Sequence, residues 1–368
     1  MGSAHYVSAA EAIFSLESSK HSVTQQYAFE RDWLRPEFPL NDFPALSRAW
    51  DFSRVRLNKI RRLLAVAHLP EEILCIGVAG SLARMEATAA SDCDLVVVLL
   101  PGVQDDSPAA LQAFDQIWVA LETLQLERPE SDGIYAGPVA YEKLLSRETV
   151  GHVSEDPRAF GFRITFLLEL QPVYGDSAFR QVSTEIVNRY AQDYVELDES
   201  KQWTYLLNDL VRYFKSLCQT YLFAEIADDR RWRLRNLKAR HSRLLMYTGL
   251  LFLLGESSCV NQEKRAWLIN RLSWTPLERL AACYANYSDP KFSIIAGGLD
   301  RFVDAMSQPG FRASLAETQS VPGQLRRESN PDFQRLKQNS DLFLRELLRF
   351  ALARQDDWSE RFFEYWLF

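Results

Sequence analysis

Residues 73–100 read Ile73-Leu74-Cys75-Ile76-Gly77-Val78-Ala79-Gly80-Ser81-Leu82-Ala83-Arg84-Met85-Glu86-Ala87-Thr88-Ala89-Ala90-Ser91-Asp92-Cys93-Asp94-Leu95-Val96-Val97-Val98-Leu99-Leu100. The near-continuous apolar run over 73–79 predicts a strand buried on both faces. Gly80-Ser81 punctuates it, and a short helix-like piece follows over 82–87. Residues 92–100 predict a second buried strand, closed by Pro101-Gly102. Asp92 and Asp94 stand two apart, and side chains at that spacing on a strand share one face. Two carboxylates side by side on a buried strand repel each other and lose hydration. Divalent cations remove that cost. Two such ions about 3.5–4 Å apart also clamp the attacking and leaving oxygens of an in-line phosphoryl or nucleotidyl displacement. Asp92 and Asp94 are therefore the candidate metal ligands. A Gly-Ser pair opening a helix suits a phosphate, because glycine permits close approach and a helix N-terminus attracts anions. Ser81 adds a hydroxyl donor. Arg84, one turn on, is placed to neutralise phosphate charge or to pair with Asp92. Either dipeptide pattern alone is common, but the joint order strand, Gly-Ser, helix, Ser-Asp-x-Asp, strand is much rarer.

Working outward, residues 8–35 carry a helical pattern, which Pro36, Pro39 and Pro44 break. Residues 48–68 predict a helix with Val55, Ile60, Leu63, Leu64 and Ala67 as its apolar stripe. Downstream, 109–126 reads as an amphipathic helix, 133–140 as a third strand, and 158–170 as a strand or a helix. Tyr174-Gly175-Asp176 reads as a turn. From about residue 181 helix follows helix: 181–195, 201–226, 235–254, 262–285, 291–306 and 332–368, with a loop over 314–331. The expected organisation is an N-terminal helical segment over 1–44, a mixed α/β domain over 45–180, and an all-helical domain over 181–368.

A second cluster lies in the helical part: Trp232-Arg233-Leu234-Arg235-Asn236-Leu237-Lys238-Ala239-Arg240-His241-Ser242-Arg243. At regular helical spacing Asn236, Arg240 and Arg243 share one face, and Arg235 and Lys238 an adjacent one. Upstream, Asp209 and Arg212 stand three apart, with Lys215 one turn on. Cationic helices facing the aspartates would hold the β- and γ-phosphates and the leaving pyrophosphate. The bland alternative is a set of solvated basic faces with a structural Asp209–Arg212 pair.

The chain has 368 residues, 47% hydrophobic, which is enough for two domains. Its formal charge of −7 argues against sequence-independent binding of long nucleic acid. Five scattered cysteines without a CxxC pair suggest neither zinc nor disulfides, and a reducing cytoplasm fits them. No signal pattern opens the chain, and the longest apolar run, 244–254, is too short to span a bilayer, so no membrane is expected. Five histidines show no ligand spacing; His241, beside the basic cluster, is the exception to watch. The aromatic end, Trp358 to Phe368, is expected to dock on the core as a terminal helix or to meet a protein partner.

The arrangement of Gly80, Ser81, Asp92 and Asp94 resembles the DNA-polymerase-β-like nucleotidyltransferase superfamily. Ala83-Arg84-x-Glu86 and Ser91 are similar to its bacterial branch of PII uridylyltransferases and glutamine synthetase adenylyltransferases. The signature covers about residues 73–100. The resemblance implies an α/β (α+β) nucleotidyltransferase core with a small mixed β-sheet, followed by a helical domain. It implies Mg²⁺ (or Mn²⁺) on Asp92 and Asp94, and Gly80 and Ser81 on the triphosphate of an incoming NTP. Arg84, Arg212, Lys215, Arg235, Lys238, Arg240 and Arg243 are the further nucleotide-binding candidates. The superfamily's third carboxylate comes from a later strand; here Glu169, within Phe166-Leu167-Leu168-Glu169-Leu170, has suitable flanks, and Glu127, Glu130 and Asp132 compete. The expected activity is transfer of NMP from an NTP to a hydroxyl acceptor: a small nucleotide or metabolite, or a protein. Making a nucleotide signal in bacterial antiviral defence is a sub-case. The alternatives are a degenerate nucleotide-binding sensor, expected if the third acid is missing, and a toxin-like transferase acting on RNA or protein.

Overall fold

The structure, a computed structural model, describes residues 26–30, 40–126, 128, 133–146, 151–152, 154–191, 203–226, 231–260, 263–316 and 330–367. Most of the expected 8–35 helix and the candidates Glu127, Glu130 and Asp132 lie outside these residues. Helix α1 spans Pro44–Val66, strand β1 Ile73–Ala79, helix α2 Gly80–Ala83 and strand β2 Asp94–Leu99. Helices α3 (Pro108–Leu121), α4 (Tyr141–Leu145) and α5 (Pro157–Leu168) follow, then strand β3 (Gln171–Tyr174) and helix α6 (Asp176–Ala191).

The sheet is three-stranded in the order β2-β1-β3, antiparallel throughout. The expected mixed sheet is thus corrected. Residues 133–140 contribute only an isolated parallel bridge between Val98 and Val139. The third strand is instead β3, over residues 171–174, between the expected 158–170 element and the expected turn at 174–176. Its Pro172 lacks a backbone N–H, which a short edge strand tolerates.

Proline is the punctuation that sequence pattern misjudges. Pro44, expected to break a helix, starts one. Its fixed φ and missing N–H suit the first helical position. Pro108, Pro157, Pro276 and Pro331 do the same, behind Ser107, Asp156, Thr275 and Asn330, whose side chains accept from the exposed N–H groups of the first turn. Starting four residues early also corrects the face of α1: Leu46, Trp50, Leu57, Ile60 and Leu64 are buried, whereas Val55 is exposed.

The helical region comprises α7 (Thr204–Ile226), α8 (Trp232–Lys238), a π-helical turn (Ala239–Arg243), α9 (Leu244–Ser257), α10 (Lys264–Leu272), α11 (Pro276–Asn286), α12 (Phe292–Ser307), α13 (Phe311–Ala316), α14 (Pro331–Leu352) and α15 (Glu360–Leu367). Helix α9 is apolar all round and buried on nearly every residue, as a central helix must be. The aromatic end docks inward: Trp358 packs so closely on Gly255 that a Cβ there would lie 2.6 Å from its ring, and Phe362 is buried. No described helix is long and apolar enough to cross a membrane. All five cysteines are free thiols.

Side chains of the helical region finish elements of the α/β region. Asp300 of α12 accepts from the N–H groups of Ala45 and Leu46, at 2.8 and 2.9 Å, and so caps α1 from outside. Buried Arg279 of α11 donates to the carbonyls of Leu167 (2.9 Å) and Leu168 (2.8 Å), the orphan acceptors at the end of α5. Glu169 stands at that helix end.

Candidate functional site

A cleft opens where β1 and β2 end against the helical region. Gly80, Ser81, Glu86, Ser91, Asp92 and Asp94 line one wall; Lys238, Ser242, Arg243, Phe302, Met306 and Arg312 line the other. The cleft holds about 60 Å³ and is open to solvent.

The acidic wall follows from strand register. Asp94 pairs with Ala79 across the β1–β2 ladder, which sets its side chain beside Gly80. Gly80 has a φ of +74°, and a Cβ there would lie 2.8 Å from Asp94 Oδ2. Only glycine lets the chain turn there with that carboxylate against it. Asp92 is exposed, just ahead of the strand, and buried Cys93 between the two keeps them on the cleft side. Burial, and secondly the Asp92 charge, push the Asp94 carboxyl up to about 6. Arg243 and Lys238 lower it, but burial and Asp92 outweigh them.

Helix α2 ends after one turn. The N–H of Met85 donates to Leu82 (3.2 Å) and that of Glu86 to Ser81 (2.8 Å), and Met85 takes a positive φ of 60°. This is a Schellman-type stop with methionine where glycine is usual. It turns Glu86 back under Arg84, whose Nε donates to Glu86 at 3.0 Å.

Arg84 also lines the cleft, where its ion pairs are with glutamates and not with Asp92. Its other contact is an ion pair with Glu169, which is itself buried. Glu169 also accepts from the Gly80 N–H at 3.0 Å and lies 3.7 Å from Arg243 Nη1. Burial alone would raise the Glu169 carboxyl; Arg84, Arg243 and the Gly80 N–H outweigh it and hold it below the ordinary range. Glu169, in the stretch expected as a strand or a helix, ends helix α5, and its oxygens engage Arg84 and the Gly80 N–H. Gly80 and Ser81 both line the cleft, with the Gly80 N–H turned to Glu169. Among the described residues, no group of three or more His, Cys, Asp or Glu side chains is arranged to hold a metal ion. Tyr135 lies close enough to Asp94 to feel its charge. Burial, and then the Asp94 charge, push that phenol well above its usual value, so it stays protonated.

The cationic wall comes from the π-helical turn. Lys238 and Arg243, five apart, would diverge by about 140° on a regular helix. The wider turn over Ala239–Arg243 brings both into the cleft. Burial lowers the Lys238 ammonium despite the favourable Asp92 charge, and among the described residues it has no hydrogen bond or ion pair. Arg240, expected on the Arg243 face, turns away to Ser340 (2.8 Å) and Asp341. Arg235 lies outside the lining. Arg212 is also outside: it pairs with Glu155 at 2.8 Å and Asp209 at 3.3 Å and lies 3.9 Å from the Phe160 ring centre. With Arg163 and Tyr190 it forms a buried structural network. Lys215 is exposed on α7, away from the cleft.

Sequence reasoning missed Ser242, Phe302, Val303, Met306 and Arg312. Arg312 donates to the carbonyl of Ala90, tying α13 to the segment before Asp92. Phe302 stacks on His241, centroids 4.5 Å apart and planes 9° apart. The signal for Ser242 was present, adjacent to Arg243; the others sit in an ordinary amphipathic helix and a polar stretch. No family model matches the chain, and no curated protein or solved structure matches it either.

Proposed function

We propose that this cleft binds a nucleoside triphosphate with Mg²⁺ (or Mn²⁺) and that the chain transfers NMP to a hydroxyl acceptor. One observation carries the reading: Asp92 and Asp94 meet Lys238 and Arg243 across a single cleft, although the two pairs come from opposite halves of the chain. The carboxylates suit a hard divalent cation, since Asp94 is pressed toward protonation by burial and by Asp92, and a cation relieves both. Mg²⁺ needs no third protein ligand, because one or two carboxylates plus substrate phosphates and water complete its shell. When bound, the ion neutralises triphosphate charge and polarises the reacting oxygens. Lys238 and Arg243 hold the phosphates and stabilise the departing pyrophosphate, Ser81 offers a hydroxyl donor, and Phe302, Val303 and Met306 exclude water from the far side. The net charge of −7 favours a small acceptor or a protein over long RNA. We place the activity in the cytoplasm, where nucleotides and free thiols coexist.

Purified protein incubated with labelled nucleoside triphosphates and Mg²⁺ or Mn²⁺ is expected to release pyrophosphate, and Asp92→Asn with Asp94→Asn to abolish it. No release with any of them, with or without cell extract, sinks the transferase reading. A second reading, binding without turnover, is favoured by the engagement of Glu169 with Arg84 and Gly80. It predicts saturable triphosphate binding by calorimetry, no pyrophosphate, and intact biological function in Asp92→Ala/Asp94→Ala.

A further inference from the structure

We infer that the cleft grips its ligand by the phosphate chain and leaves the base unread, so that Mg²⁺–tripolyphosphate binds about as well as any nucleoside triphosphate. The inference rests on the nucleotide reading above and concerns which part of the nucleotide is recognised.

Space is the first argument. The cleft as a whole holds about 60 Å³. An apolar cavity of about 150 Å³ is what accommodates a single benzene ring. A phosphate group fits the smaller volume; a nucleobase does not. A base attached to phosphates held there projects beyond the cleft, among water.

The second argument is the lining. Among the described residues the one aromatic ring in the wall, Phe302, is 4% exposed and spends a face on His241. Val303 and Met306 are 2% and 6% exposed, so α12 offers side-chain edges and no open stacking platform. Base discrimination comes from fixed polar groups that a wrong base would leave buried and unpaired. Beyond the cleft, water satisfies such groups and the discrimination is lost.

The third argument is charge. Lys238 has neither hydrogen bond nor ion pair among the described residues, and it faces the cleft beside Arg243. A half-buried ammonium in that setting gains most from a polyanion, whichever base the polyanion carries.

Titration calorimetry on the full chain in Mg²⁺, with α,β-non-hydrolysable analogues of ATP, GTP, CTP and UTP and with inorganic tripolyphosphate, tests this. The expected dissociation constants agree within about threefold. Lys238→Met is expected to weaken every ligand by a common factor of about tenfold or more. Lys238→Arg, which keeps the charge, is expected to restore most of the binding. Thermal melting shows whether either variant is folded. A preference above about tenfold for one base overturns the inference and leaves the nucleotide reading standing. So does a tripolyphosphate that fails to bind where the nucleotides bind. If no triphosphate binds, organic or inorganic, the nucleotide reading itself is lost.

Discussion

The two walls of the cleft are built by different means. The acidic wall stands on strand ends, where Asp94 is fixed by a ladder contact with Ala79 and by the tight approach of Gly80. The cationic wall stands on one irregular helical turn, where Lys238 and Arg243 converge only because the backbone widens. A strand's two-residue period leaves little freedom for side-chain direction. A helix carries its phase forward, so a single wide turn rotates everything beyond it. The acidic wall is therefore hard to displace, and the cationic wall is tunable by small changes of helix phase.

The sharpest way to break the comparison is on the acidic wall. Asp92→Asn or Asp94→Asn is expected to reduce transfer by about 1,000-fold or more, the scale of losing several kcal/mol of charge stabilisation. Neither change is expected to destabilise the protein, because each removes a repulsion; pyrophosphate release and thermal melting measure the two effects. Glu169→Ala is expected to do the reverse. It strands buried Arg84 and the Gly80 N–H, and removing one partner of a buried ion pair costs roughly 3–5 kcal/mol. Urea unfolding reads that loss, and an unchanged midpoint would contradict the positioning role.

Next in size is a pH effect on the cationic side. The Nδ1–H of His241 donates to the Leu237 carbonyl at 2.9 Å, and its Nε2 accepts from Asn339 at 3.0 Å, so the ring is neutral. Asn339 cannot turn over to welcome a proton, because its amide also donates to Gly298 and its oxygen accepts from Arg301. Burial lowers the His241 pKa to about 4, below its unfolded value. The unfolded chain then binds more protons between about pH 6.5 and 4, so stability is full above that window and falls as pH drops through it, by roughly 3 kcal/mol. Unfolding free energies across the window are expected to show the slope in the parent and a flatter one in His241→Gln. The smallest expected effect is on the residues that the wide turn points away. Arg240→Met and Arg235→Met are expected to leave triphosphate affinity within about twofold of the parent. A tenfold loss in either would mean that the turn does not sort the cations as described.

This contrast also explains what the sequence disclosed. Strand β1 was legible to the residue, and Asp92 and Asp94 with it, because apolar runs and a two-residue period are local signals. Strand β3 was not, since four residues containing a proline carry no pattern, and it exists by pairing with β1. Lys238 and Arg243 were named, but among neighbours that the structure sends elsewhere. Helical phase counted at a constant angle misplaces Arg240 by the width of one turn. Glu169 was picked out by its apolar flanks, and those flanks mark the buried end of a helix as well as they mark a strand. Phe302, Met306 and Arg312 carry no signature at all, because their role comes from which helices the fold sets against the sheet.

The caps that the helical half supplies have an evolutionary side. Asp300 starts α1, and Arg279 finishes the helix that carries Glu169. The α/β half does not own all the groups that end its own helices. A lineage that swapped the helical half for another would lose an N-terminal cap and a C-terminal one at a stroke, and with the second the anchor behind Gly80. Replacing the helical half therefore requires new groups at both of these helix ends.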